Sequence, residues 1–251
     1  MAGLSVWRST EDSRVVWPLL VIDRGMLMDL VEVMRSQPAT RFYKPDPVPT
    51  EVFHRAMDNA RFGPQGGNRQ PVRFLIVTDA EKKAQLAEWY MQPWAVYYEQ
   101  ASAAGEALTA DSGDAKATKA VMSKASIEAA NDFALNLANH PAIIVACAEL
   151  EETHPTDTDL GRLSIVGGAS VYPIVQNVCL ALRNEGVAMT FTTLLCMFEP
   201  QVKELLGIPD ELATAAHIVA GYPEKPFPTK LTRRPVEEIA FVDSFDNPLT
   251  A

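Results

Sequence analysis

The chain has 251 residues, of which 47% are hydrophobic and 22% are charged, a composition typical of globular proteins rather than of disordered or membrane-spanning ones. Its formal net charge of −10 opposes binding to nucleic acid or to anionic membranes. The three cysteines form no disulfide framework, and we find neither a signal peptide nor an apolar segment long enough to span a membrane. We therefore expect a cytoplasmic protein with buried, reduced thiols.

The first part of the chain is predicted to contain an arm, a helix and a linker. Residues 1–26 have no clear pattern and are predicted to form an N-terminal arm, which leaves a single domain over 27–251. The spacing of apolar residues predicts a short helix over 27–34. Its buried face would consist of Leu27, Leu30, Val31 and Met34. The prolines of segment 44–49 predict an extended linker after it.

Two arginines lie near the end of this helix. Arg35 and Arg41, with the hydroxyls of Ser36 and Thr40 between them, could hold a phosphate through charge-assisted hydrogen bonds. They could equally belong to a solvated C-terminal turn of the helix. The residues alone leave both interpretations open.

The most distinctive stretch is the loop 61–71. It follows a predicted helix over 50–60, with Thr50 as N-cap, and precedes a predicted buried strand over 72–78. Its glycines permit close backbone approaches, and the carboxamides of Asn68 and Gln70 offer donors and an acceptor. This composition suits a loop that lies against a flat polar ring system, although an ordinary helix-to-strand connection has the same chemistry.

After the strand, a helix is predicted over 79–87 with Asp79 as its cap. The composition then changes over 89–131, where an aromatic cluster precedes a stretch rich in Ala, Ser, Gly, Lys and Asp. We interpret this region as helices joined by a mobile surface insertion. Its aromatic residues could form the wall of a ligand pocket or pack in the core. A second buried strand is predicted over 141–148.

The C-terminal half has the clearest periodicity. It is predicted to contain a helix over 167–186 that ends at Gly186, an extended segment over 187–195, a short helix over 199–206 that ends at Gly207, and a third strand over 213–220. His217, inside this strand, is expected to be a core histidine with its hydrogen bonds satisfied rather than a catalytic base. Strands separated by helices, without an internal repeat, indicate a single α/β or α+β domain.

Motifs for conventional catalysis are missing from the sequence. It has no GxGxxG after a strand, no P-loop and no GxSxG elbow. The four histidines and three cysteines lack the spacing of metal ligands, so we expect no metal site. If the protein is an enzyme, a bound cofactor would have to supply the reactivity.

Several segments, in the same order along the chain, resemble the FMN-dependent nitroreductase family. They are 35–42 with the Pro-Asp-Pro-Val-Pro that follows, 63–71, the helix that contains Gln176-Asn177, 205–209, Gly221-Tyr222-Pro223 and Arg233-Arg234-Pro235. The resemblance implies an α+β fold with a central mixed β-sheet flanked by helices. It also implies an interlocked, obligate homodimer with two FMN sites at the interface, each built from both subunits.

The resemblance further implies which residues bind the FMN phosphate. Arg41 would be the main phosphate ligand, with Ser36 and Gln37 in the turn before it. Arg233, together with Lys230, would be the partner from the C-terminal tail. The family commonly has a second arginine where this chain has Gln37 or Pro38, so phosphate binding would either rely on Arg35 instead or be weaker.

Two other segments would meet the flavin ring. Backbone N–H groups near Thr192, Thr193 and Leu194 would lie beside its redox-active nitrogen and stabilise the charge that develops there. The loop of the second subunit would contact the ring and the ribityl chain. The loop residues concerned are Pro64, Gln65, Gly66, Asn68 and Gln70. Gln65, Val72 and Ala188 stand where the family usually has serine, tryptophan and glycine.

The implied activity is that of an oxidoreductase that takes hydride from NAD(P)H and passes electrons by a ping-pong mechanism to a nitroaromatic, a quinone or a similar electron-poor acceptor. No general acid is assigned. The alternatives are a family variant with specialised chemistry, such as reductive dehalogenation or flavin breakdown, and a flavin-binding protein with little turnover. The insertion at about 89–131 lies where the family varies its lid, so the acceptor itself is not implied.

Overall fold

The computed structural model describes residues 28–110 and 123–250, over which the chain forms six α-helices and four β-strands. The helices are α1 (Leu30–Ser36), α2 (Thr50–Ala60), α3 (Ala80–Ala110), α4 (Lys124–Leu135), α5 (Tyr172–Asn184) and α6 (Glu199–Leu206). The strands are β1 (Val72–Val77), β2 (Ala142–Glu149), β3 (Ala188–Thr192) and β4 (Leu212–Gly221). The predicted N-terminal arm and residues 111–122 of the predicted insertion lie outside the described residues.

The four strands form one sheet in the order β1-β2-β4-β3, and every neighbouring pair is antiparallel. The α+β class is therefore confirmed, whereas the prediction of a mixed sheet needs correction. Within the described ranges, parallel pairing is confined to an isolated bridge between Ala39 and Met189. Pro38, next to this bridge, has no backbone N–H, so the segment cannot continue a ladder along β3.

The sheet separates two hydrophobic cores. On one face, helices α2 and α5 form the α2/α5 core, which contains Phe53, Ile144, Val178, Leu182 and Ile218. On the other, helices α3 and α4 form the α3/α4 core, which contains Leu86, Phe133, Leu137, Val145 and Val219. Strand β2 supplies side chains to both and is buried along nearly its whole length. His217 is fully buried, as predicted for a core histidine, but its Nε2 has no hydrogen-bond partner, so the expectation that its hydrogen bonds are satisfied was wrong.

Helix α1 does not bury the described part of the face that its periodicity predicts, and Leu27 of that face lies outside the described residues. Leu30, Val31 and Met34 are 64%, 51% and 58% exposed, and the buried residues are Val33 and Ser36. The side chain of Asp29 caps the helix by accepting from the amides of residues 31 and 32. The helix then packs Ser36 against α5. The predicted face was wrong because contact with α5, not the number of apolar residues, sets the orientation of so short a helix.

Helix boundaries agree with the sequence at some ends and not at others. Asp79 caps α3 as predicted, since its Oδ1 accepts from the amide of Lys82 at 2.9 Å. Gly186, with φ of 75°, ends α5 as predicted. Thr50 is the first residue of α2 rather than its N-cap, because Pro49 takes the cap position without a side-chain bond. Residues 89–110 continue α3, and no helix in the described ranges is long and apolar enough to cross a membrane.

Candidate functional site

A cavity of about 250 Å³ opens at the C-terminal end of β3, between the sheet and helices α3 and α4. We call it the aromatic cleft, because aromatic rings form most of its wall. Its lining consists of Arg41, Tyr90, Trp94, Tyr97, Ala130, Phe133, Thr190, Phe191, Thr192, Thr193 and Leu194. It therefore brings together four of the predicted cofactor-binding residues.

The floor of the cleft is the end of β3 and the turn that follows it. Thr192 pairs with His217 of β4, after which the chain enters a 3₁₀ turn over Leu194–Phe198. The amide of Leu194 donates to Oγ1 of Thr192 at 3.4 Å, which is beyond the usual range for an N–H···O bond. This amide is thus only weakly engaged and could donate to a ligand.

The wall is built from aromatic residues of the predicted insertion. Tyr90 stacks on Trp94 with a centroid distance of 6.2 Å and meets Phe133 edge-on at 6.4 Å. The indole N–H of Trp94 donates to Asn131 at 2.9 Å and so ties α3 to α4. Tyr90 and Trp94 are buried in the α3/α4 core, as core packing predicts, and they also line the cleft, so their role as the wall of a ligand pocket stays a prediction.

Arg41 directs its guanidinium into this cleft. Its Nη1 donates to Oγ1 of Thr190 at 3.3 Å, and its Cζ lies 5.4 Å from the centroid of the Phe133 ring. Two residues further on, the buried Tyr43 anchors the segment, with its hydroxyl 3.0 Å from the same Thr190 oxygen and 3.3 Å from the carbonyl of Val219. Burial raises the pKa of the Tyr43 hydroxyl.

The Arg41 guanidinium has no carboxylate partner among the ion pairs of the described residues. In a chain of net charge −10, an unpaired cation inside a half-buried cleft can accept a negatively charged or electron-rich ligand group. This is the feature of the cleft that most directly indicates binding.

The C-terminal tail runs past Arg41, with which Lys225 and Phe227 line a second cavity, and then bonds to Arg35. The amide of Leu231 donates to the carbonyl oxygen of Arg35 at 3.0 Å, so Lys230 and Arg233, which flank Leu231, lie near the end of α1. The side chains of Arg35, Lys230 and Arg233 are at least partly exposed, and none forms an ion pair within the described part of the chain. We call these three residues the tail cations.

Ser36 and Gln37 have supporting positions. Ser36 is 1% exposed, and its hydroxyl donates to the carbonyl of Glu32 and accepts from Nη2 of Arg183. Gln37 donates from Nε2 to the carbonyl of Pro38 at 2.7 Å, while its buried Oε1 has no partner. Both side chains shape the turn after α1, and the Ser36 hydroxyl is not open to a ligand.

The predicted loop lies away from the cleft of its own chain. It packs on α5: a Cβ at Gly63 would lie 2.6 Å from Ile174, and the amide of Gly66 donates to Ser170 at 3.0 Å. None of the loop residues lines the aromatic cleft. Pro64, Gly66, Asn68 and Gln70 are exposed and Gln65 is half-buried, so the loop presents its carboxamides to the surroundings.

The loop holds an unusual backbone shape. Gly67, Asn68 and Gln70 all have positive φ, with values of 60°, 54° and 56°. Non-glycine residues in this region cost roughly 1–2 kcal/mol each, and such strain concentrates at functional sites. The loop is therefore held in one shape by its packing on α5.

The structure adds residues that sequence reasoning did not assign to a site. Phe133 and Thr190 contact Arg41 directly, and Tyr90 and Trp94 form the wall. The aromatic cluster gave some signal for the last two. Phe133 and Thr190 gave none, because only the pairing of β3 with β4 and the packing of α4 bring them next to Arg41.

Comparison with known proteins agrees with this fold. Residues 34–222 match the family model described as Nitroreductase family. YfhC of Bacillus subtilis (strain 168), to which an NAD(P)H nitroreductase activity is ascribed, is 22% identical over 210 residues, which are 83% of this chain and 91% of that protein.

Two solved structures share the fold at low sequence identity. Oxidized iodotyrosine deiodinase bound to FMN and 3-iodo-L-tyrosine is 22% identical with a TM-score of 0.62, over 86% of this chain and 100% of that one. The NADPH:FMN oxidoreductase from Vibrio harveyi complexed with NAD⁺ is 16% identical with a TM-score of 0.56, over 86% and 77%. Since the family match extends from the end of α1 to the end of β4, the chain belongs to the nitroreductase family.

Proposed function

We propose that this FMN-dependent oxidoreductase takes hydride from NAD(P)H and delivers electrons to a small electron-poor acceptor, such as a nitroaromatic or a quinone. The observation that carries the proposal is the unpaired guanidinium of Arg41 in an aromatic cleft, beside the weakly bonded amide of Leu194. Membership of the nitroreductase family supplies the chemical class. The nitroreductase activity ascribed to the Bacillus subtilis relative and the FMN and NAD⁺ named with the two solved structures support the same chemistry.

The residues present fit a flavin. A flat heteroaromatic ring requires an apolar wall, hydrogen-bond donors at its edge and a cation near its electron-rich side. The cleft offers the rings of Tyr90 and Phe133, the amide of Leu194 and the guanidinium of Arg41. An orphan cation of this kind is costly unless a ligand group shares its environment.

When bound, FMN accepts hydride and passes on electrons. Around it, Arg41 and the amides of Thr192, Thr193 and Leu194 would stabilise negative charge on the ring. The tail cations would hold the phosphate by charge-assisted hydrogen bonds, with Ser36 and Gln37 shaping the turn between them and Arg41. In this proposal Arg41 binds the ring and not the phosphate, which is the role that the sequence led us to expect. The reason is that its guanidinium contacts Thr190 and Phe133.

We also propose that two chains form a homodimer in which the loop of one completes the cleft of the other. The loop is strained, exposed and outside its own cleft, as a segment used by a second chain would be. Pro64, Gln65, Gly66, Asn68 and Gln70 would then face the ring and ribityl chain. The exposed Leu30, Val31 and Met34 of α1 provide apolar surface that such an association could cover.

The test begins with purified protein, which should be yellow and hold about one FMN per chain. Anaerobic stopped-flow mixing with NADH and with NADPH should bleach the flavin, and nitroaromatic or quinone acceptors should restore its absorbance. Bleaching without reoxidation by any acceptor would indicate a flavin-binding protein with little turnover. A colourless protein that gains no flavin absorbance in excess FMN would contradict the proposal.

A further inference from the structure

Arg183, in the last turn of α5, is a buried guanidinium without a carboxylate partner. It is 7% exposed and belongs to none of the ion pairs of the described residues. Its Nη1 contacts the sulfur of Met28 at 2.9 Å, its Nη2 donates to Oγ of Ser36 at 3.0 Å, and its buried Nε has no partner. Thioether sulfur is a weak acceptor, so Ser36 is the one strong partner of this side chain.

The same guanidinium lies on an aromatic ring of the C-terminal tail. Its Cζ is 3.7 Å from the centroid of Phe227, the close range for a cation–π contact. Phe227 precedes Leu231 by four residues, and the Leu231 amide is bonded to the carbonyl of Arg35. Arg183 therefore touches both segments that carry the tail cations: the end of α1 through Ser36, and the tail through Phe227.

Packing alone does not account for an arginine at this position. A methionine or leucine would fill the same space without the cost of desolvating a charge. A lysine could not lie flat on a ring and donate from the edge of the same plane, as the guanidinium does here. Burial lowers the pKa of the Arg183 guanidinium, and the charge of Glu32 offsets this cost only in part.

We propose that Arg183 is a positioning residue for the phosphate end of the cofactor site. Its plane holds Ser36 at its edge and Phe227 on its face, and so fixes the tail cations relative to one another. This inference rests on the proposed function, and it adds that Arg183 is the residue that aligns the tail cations. Without this contact, the tail near these residues would be held to α1 by the backbone bond between Leu231 and Arg35, and the positions of Lys230 and Arg233 relative to Arg35 would be less closely fixed.

The test compares FMN with riboflavin, which lacks the phosphate, in apo-protein titrations. Arg183→Met should weaken FMN binding by up to about tenfold, the limit reached if the whole free energy of the cation–π contact holds the tail in its binding position, and leave riboflavin affinity nearly unchanged. Phe227→Leu keeps the charge but removes the ring. It should lower the ratio of FMN affinity to riboflavin affinity in the same direction as Arg183→Met, by a smaller factor. Arg55→Met is the matched control, because Arg55 is 52% exposed and paired with Glu185, apart from these contacts. It should leave the ratio unchanged.

A second readout needs no flavin. Trypsin should cleave the apo-protein after Lys230 and Arg233 faster in the Arg183 and Phe227 variants than in the wild type. A merely structural role predicts faster cleavage with an equal loss of affinity for both flavins, and that result would overturn the proposal, as would an unchanged ratio. If Arg183→Met does not fold, Phe227→Leu decides on the same criteria. A wild-type protein that binds neither flavin would instead refute the proposed function itself.

Discussion

Replacing Arg41 with methionine removes the guanidinium from the aromatic cleft and keeps an apolar stem of similar length. Within the protein, this change breaks a 3.3 Å hydrogen bond to Thr190 and a ring contact of 5.4 Å with Phe133. Because the hydrogen bond is long at 3.3 Å, we assign it about 0.5–1.5 kcal/mol, and we assign the partly solvated cation–π contact about 0.5–1 kcal/mol. We therefore expect the free energy of unfolding to fall by about 1–2.5 kcal/mol, a loss that a domain of ordinary stability survives, so the variant should fold.

The effect on flavin binding should be larger. A hydrogen bond to a charged group is worth about 1.5–3 kcal/mol, which corresponds to a loss of affinity of about 10- to 150-fold. FMN and riboflavin have the same ring, so both should weaken by a similar factor if Arg41 contacts the ring. Loss of a cation beside the ring should also lower the two-electron midpoint potential of the bound flavin by about 30–60 mV.

The assay is fluorescence quenching of FMN and of riboflavin by apo-protein, with potentials measured by equilibration against a redox dye. Arg55→Met is again the control, since it removes one surface guanidinium without touching the cleft. A loss confined to FMN would place Arg41 at the phosphate and refute the ring assignment. Unchanged affinity for both flavins would remove Arg41 from the site.

Three other predictions address different parts of the molecule. Replacing Lys230 and Arg233 together by alanine should weaken the binding of FMN but not that of riboflavin. Raising the salt concentration should reduce the difference in FMN affinity between variant and wild type, because exposed charges are screened. An equal loss of affinity for both flavins would contradict a phosphate contact. Light scattering should find a dimer that persists on dilution, and we expect the tail 226–242 to contribute to its interface. A monomer that still holds FMN would refute the shared site. Burial lowers the pKa of His140 and His217 from 6.5 to about 4. The unfolded chain therefore binds more protons between these values, and stability should fall as the pH drops from 6.5 towards 4, by up to about 2 kcal/mol for His217 at pH 5. Urea unfolding at pH 7 and 5 measures this fall, which His217→Gln should reduce; an unreduced fall would show that His217 is not its source.

Local signals in the sequence predicted the elements whose boundaries depend on neighbouring residues. Asp79 and Gly186 act where they were expected, because capping and a positive φ are properties of a few adjacent residues. The buried face of α1 and the antiparallel sheet were not predicted correctly. Both depend on partners distant in sequence, namely α5 for the helix and β4 for β2 and β3.

In the candidate site, too, features set by adjacent residues were predicted and features set by distant partners were not. Arg41 and Thr192–Leu194 were predicted as cofactor-binding residues, and the structure brings them to one cleft. The direction of the Arg41 side chain could not be predicted, because Tyr43 and Thr190 fix it from across the fold. The lid role of the region 89–131 and the sharing of the loop between chains remain predictions.

The division of the molecule by its sheet has a consequence for the timing of the reaction. The aromatic cleft belongs to the α3/α4 side, whereas the loop packs on α5 on the opposite side. In the proposed dimer, one flavin would thus be held between the α3/α4 side of one chain and the α5 side of the other. Helices α3 and α4 could loosen to exchange the oxidised nicotinamide for an acceptor while the partner's loop, on a separate core, held the flavin in place. Retaining the cofactor and exchanging substrates would then depend on different parts of the dimer, an arrangement that suits a two-stage reaction on a single flavin.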